Sequence, residues 1–71
     1  MAYHNPVQNS FFIECENDNT IKIYDMLGQE VLTKTINGKT EINISHLPQG
    51  IYSVRVISDD RIIGNSKIVK Q

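Results

Sequence analysis

Short stretches in which apolar and polar side chains alternate run through the chain, separated at nearly even spacing by Gly, Pro, Asn and Asp. A period of two sends successive side chains to opposite faces of a strand, and this punctuation is that of a small antiparallel β domain. Asn5-Pro6 opens the fold. The first predicted strand runs from Gln8 to Glu16 and ends in Asn17-Asp18-Asn19, whose short side chains bond locally and tolerate left-handed backbone. The second, Thr20 to Asp25, alternates Ile21 and Ile23 with Lys22 and Tyr24. Asp25-Met26-Leu27-Gly28 then reads as a type I turn followed by a left-handed glycine, a hairpin loop that leaves a bulge, with Glu30 to Ile36 returning antiparallel.

Asn37-Gly38 is the strongest short-range hairpin signal, because a type I′ turn requires positive φ at both central residues. It predicts a fourth strand, Thr40 to Ser45, paired with the third and burying Ile42 and Ile44. Leu47-Pro48-Gln49-Gly50 stops that strand. A fifth, Ile51 to Ser58, carries Tyr52, Val54 and Val56 on one face and Ile51, Ser53, Arg55 and Ile57 on the other, and is predicted to be central. Asp59-Asp60 makes the last turn, and the final strand runs from Arg61 to Lys70 with Gly64 at a bulge or a point of close packing. The expected fold is all-β: a small antiparallel β-sandwich, immunoglobulin-like, of six to seven short strands, with a partly open barrel as the minor alternative.

Composition supports this class. Eleven Ile, five Val and four Thr among 71 residues, against three Leu, favour a pleated surface over helix, and the length allows one domain. Seven basic residues are offset by eight acidic ones and are scattered, so no phosphate-binding face for nucleic acid is predicted. Apolar runs such as Phe11-Phe12-Ile13 are far too short for a membrane span or a signal-peptide core, so export would depend on a larger protein. Met1-Ala2 is expected to lie outside the domain, which spans residues 3–71. Cys15 cannot bridge internally and reads as a structural thiol, since His4 and His46 lie beside turn residues and give it no base. Asp25 has no partner acid or base at catalytic spacing, and Asp59-Asp60 supplies too few oxygens for calcium. No catalytic, cofactor or metal site is predicted, and oligomeric state is left open.

Four blocks in order carry a further signal: Tyr3-His4-Asn5-Pro6-Val7; Ile21 through Val31, with Tyr24-Asp25-Met26-Leu27-Gly28 at its centre; Ile42-Asn43-Ile44 followed by Leu47-Pro48-Gln49-Gly50-Ile51-Tyr52; and Lys67-Ile68-Val69-Lys70. Together they resemble the type A C-terminal sorting domain of cargo proteins of the type IX (Por) secretion system of Bacteroidetes, over residues 3 to 71. His4 stands where that family usually has proline. The resemblance implies a non-catalytic address label at the end of a covalently attached N-terminal cargo. It passes through the periplasm, is read by the outer-membrane secretion machinery and is then removed by a sortase-like peptidase, leaving the cargo secreted or on the cell surface.

Under that resemblance Lys67, Ile68, Val69, Lys70 and Gln71 are the recognition residues for the translocon, and a terminal strand could pair with a receptor's sheet edge. Asn5, Pro6, Tyr24, Asp25, Gly28, Leu47, Pro48, Gly50, Ile51 and Tyr52 hold the motif structurally, the glycines as turn residues on any reading. The competing description of the tail is a solvated edge strand whose lysines deter aggregation. The alternative function is a small immunoglobulin-like binding or spacer module of a secreted or surface protein. The scarcity of aromatic platforms for carbohydrate weighs against it, with 7% aromatic residues and no Trp.

Overall fold

The computed structural model describes residues 9–71, all-β, with four strands: β1 (Ser10–Tyr24), β2 (Glu30–Asn43), β3 (Gly50–Ser58) and β4 (Arg61–Lys70). They form one antiparallel sheet in the order β2-β1-β3-β4. The predicted class holds, as does the interior place of the fifth predicted strand, now β3. Asn5 and Pro6 lie outside the described residues.

The strand count differs from the expected six to seven because two predicted breaks are absorbed into continuous strands. Asn37-Gly38 does not reverse the chain; β2 continues through it, and the halves expected to pair with each other are consecutive parts of one strand. The ladder passes from Cys15 opposite Gly38 to Asn19 opposite Ile36, so Glu16, Asn17 and Asp18 face Asn37 alone. The Asn37 side-chain amide donates to Asp18 Oδ1 at 2.7 Å, and that of Asn19 to the Asn17 carbonyl at 2.8 Å. Gly38, with φ 72°, supplies the positive φ that its dipeptide favours, but in a bulge rather than a hairpin.

This irregularity is a crease. Fifteen residues of straight strand would span about 46–50 Å, whereas the molecule extends 30 Å along its longest axis, so β1 and its partner bend there. The bend lets the apolar faces of both halves meet. Phe11, Ile13 and Ile42 from one half join Ile21, Ile23, Ile36, Tyr52, Val54, Val56 and Ile68 from the other in one buried cluster, closed by Ile44 and Leu47 from the β2–β3 connection.

The remaining turns follow their chemistry. In the β1–β2 turn the Asp25 N–H donates to the Gln29 carbonyl at 3.0 Å and the Gly28 N–H to the Asp25 carbonyl at 3.1 Å, with Gly28 at φ 84°. Between β3 and β4, Asp59 and Asp60 have φ of 50° and 63°, the pair of positive values that a two-residue type I′ hairpin needs. A bulge in β4 falls at Ile63, beside Gly64, where the register shifts.

Candidate functional site

Among the described strands β4 is the last in the sheet order, beside β3. From Arg61 onward the chain carries three cations and no acidic residue, whereas all eight acidic residues precede it. The tail residues singled out above divide by the pleat. Ile68 is fully buried in the core, Lys67, Val69 and Gln71 are exposed, and Lys70 is half-buried with its ammonium donating to the Gln71 carbonyl at 3.1 Å. The run Lys67 to Gln71 therefore combines one structural anchor, Ile68, with an outward-facing cation, Lys67, an exposed valine and a half-buried lysine at the strand end.

The other motif residues shape turns. Asp25 Oδ1 accepts from the backbone N–H groups of Leu27 at 2.9 Å and Gln29 at 3.0 Å, the capping expected of a carboxylate at a strand end. Leu47 is buried and Pro48 exposed, and the Pro48 carbonyl accepts a 2.6 Å hydrogen bond from the Tyr52 hydroxyl. Gly50 begins β3 opposite Lys70, with the exposed Ile51 beside it opposite Val69. Tyr24 is half-buried, with the Arg55 guanidinium 4.8 Å from the centre of its ring.

Arg55 is the residue that sequence reasoning missed. Its register on the outward face of β3 was visible, and it is the only cation in that strand, but its stacking on Tyr24 follows from β1 lying beside β3, which no local signal specifies. Three strands meet here in cross-strand rows: Tyr24, Ser53 and Lys67 in one, Lys22, Arg55 and Asn65 in the next. Small Ser53, set among longer side chains, leaves a depression of about 430 Å³ bounded by Tyr24, Met26, Ile51, Arg55 and Lys67. Lys22 is held by Glu30 at 3.0 Å, and that carboxylate raises the lysine pKa above its usual 10.5, first by hydrogen bonding and then by charge.

A second cavity of about 350 Å³ lies at the crease, lined by Cys15, Asn19, Val56, Ser58 and Gly64 among others. Cys15 is half-buried there and Asn19 almost wholly buried. Among the described residues no three His, Cys, Asp or Glu side chains converge as a metal site, and no helix is long and apolar enough to cross a membrane. His46 is exposed and remote in sequence from Cys15.

Set against known families, residues 1–71, the whole chain, match the model described as the secretion system C-terminal sorting domain. No curated protein matches the chain.

Proposed function

The chain belongs to the secretion system C-terminal sorting domain family and is a C-terminal signal for type IX secretion of cargo proteins, exported to become secreted or surface-located; we propose that it acts as a non-catalytic module read through its last strand. The observation that carries this is β4, whose charges are all positive and whose Lys67 and Val69 are exposed beside the buried anchor Ile68. The outer-membrane machinery reads the exposed side chains of Lys67, Val69 and Gln71. The cargo precedes the domain, passes through the periplasm, and is separated from it by a sortase-like peptidase after translocation.

An immunoglobulin-like, two-layer description of the domain is supported by the crease, which folds the long β1–β2 pair over its other half, and by the bond from Tyr52 back to Pro48, the corner found in such sandwiches. It gives one constant surface to the export machinery whatever cargo is attached.

The test is transfer of the signal. Residues 3–71 are fused behind a periplasm-targeted reporter in a type IX-competent host, alongside a fusion lacking Val69–Gln71 and one carrying Lys67→Glu and Lys70→Glu. Because Ile68 is buried, the truncation stops short of it. The intact fusion is expected outside the cell and both altered ones in the periplasm. Retention of the intact, folded fusion overturns the sorting function for this sequence; equal export of all three overturns the role of β4.

A further inference from the structure

We propose that Asn37 is a site of spontaneous deamidation, where water converts the side-chain amide to a carboxylate and thereby loosens the crease. The assignment is independent of the sorting function. Asparagine amides are the chemically labile side chains of a folded protein, and of the seven asparagines in this chain only Asn37 is followed by glycine. The reaction requires the backbone nitrogen of the next residue to reach the asparagine Cγ, and a next residue without a Cβ obstructs that approach least. The fold keeps this freedom. Asn37 is exposed and lies in the gap of the β1–β2 ladder, where the register passes from Gly38 opposite Cys15 to Ile36 opposite Asn19 and gives Asn37 no cross-strand partner. A Cβ at Gly38 would meet nothing within 4 Å, so there is space beside the ring that forms. Other asparagines are held differently: Asn19 is buried, Asn65 pairs with Arg55 in the β3–β4 ladder, and Asn43 Oδ1 accepts from both the N–H and the hydroxyl of Ser45.

The step balances with water as the sole co-reactant. The Gly38 backbone nitrogen, its proton passed to hydroxide, attacks Asn37 Cγ. The new N–Cγ bond closes a succinimide ring, the Cγ–Nδ2 bond breaks, and the side-chain nitrogen leaves as ammonia. Water then opens the ring at either carbonyl, giving aspartate, or isoaspartate with the main chain rerouted through Cγ and lengthened by a carbon. Both products act on the crease. In the intact chain the Asn37 amide donates to Asp18 Oδ1 at 2.7 Å, across the gap between β2 and β1. The carboxylate that replaces the amide is ionised at neutral pH and has no proton to donate. A hydrogen bond between the strands becomes a contact between like charges.

Two measurements test this. The folded 71-residue chain is held in mildly alkaline buffer, sampled over days and digested with an acid protease, which halts the reaction; each asparagine peptide is then weighed and its isoaspartate separated by chromatography. Asn37 is expected to convert ahead of every other asparagine, with isoaspartate among its products. Conversion of Asn37 no faster than that of the exposed but ladder-paired Asn65 overturns the site. The effect on the crease is read from Asn37→Asp, which is the aspartate product itself and whose unfolding equilibrium constant is expected to rise about threefold or more. Asn37→Asp combined with Asp18→Asn restores an amide and a carboxylate across the gap in exchanged positions, and is expected to recover most of that loss. An unchanged urea midpoint for Asn37→Asp, or a double variant no more stable than Asn37→Asp, overturns the loosening.

Discussion

The Tyr52 hydroxyl reaches back four residues to donate to the Pro48 carbonyl at 2.6 Å, tying the start of β3 to the loop that delivers it. The ring is buried and the proline exposed, so the bond joins core to surface where the chain crosses from the β2 edge to β3. Tyr52→Phe keeps the packing and removes only this bond. Losing this bond is expected to cost about 0.5–1.5 kcal/mol, a shift in urea midpoint easily measured in so small a domain.

Gly38 isolates a conformational effect. A Cβ there meets nothing within 4 Å, so space is not the constraint; φ of 72° is. Gly38→Val is expected to destabilise by about 1–2 kcal/mol or more, and Gly38→Asn by much less, because Asn tolerates the left-handed region. Equal midpoints for the two variants would contradict this account of the crease.

The β3–β4 hairpin holds two aspartates at positive φ, at 50° and 63°. Replacing Asp59-Asp60 by Asn-Gly provides the residues that a type I′ turn prefers and is expected to stabilise the domain by about 0.5–1 kcal/mol. Thermal unfolding of the double variant checks it.

In the tail, adjacent residues should separate folding from recognition. Ile68→Ala opens the core and is expected to cost about 2–4 kcal/mol. Lys67→Glu with Lys70→Glu changes only surface charge and is expected to stay within about 0.5 kcal/mol. Circular dichroism melts of the three chains establish which variants can be used to interpret export.

The Lys22–Glu30 pair bears on pH. Its folded-state lysine pKa lies above the usual 10.5, so the pair's contribution is complete below that value and declines only as pH rises through the folded pKa. Midpoints measured from pH 7 to 9 are expected to show no change attributable to Lys22, and Glu30→Gln should leave this range flat.

The elements written into short sequence windows were legible. The alternation of Ile21 with Ile23, Ile42 with Ile44, and Tyr52 with Val54 and Val56 placed each inward face correctly, and Asp25 to Gly28 and Asp59-Asp60 turn where expected. Asn37-Gly38 misled because its preference is for positive φ, which a bulge satisfies as well as a hairpin. The choice between them is made by pairing with Cys15 and Asn19, about 20 residues away. The same limit hid the hollow at Arg55, which exists only once three strands lie side by side. Within the tail the pleat was readable in principle from Ile68 alone, the residue whose burial separates anchor from surface.

Hydrogen exchange should divide this sheet unequally. β4 places one side chain, Ile68, in the buried cluster, while β1, β2 and β3 supply most of the rest. Fraying the last strand therefore exposes little of the core, and the free energy of that local opening lies well below that of global unfolding. Amides of β4 are expected to exchange first and those of β1, flanked on both sides, last. Of the described strands β4 is thus the one expected to open first, at a fraction of the cost of unfolding the domain.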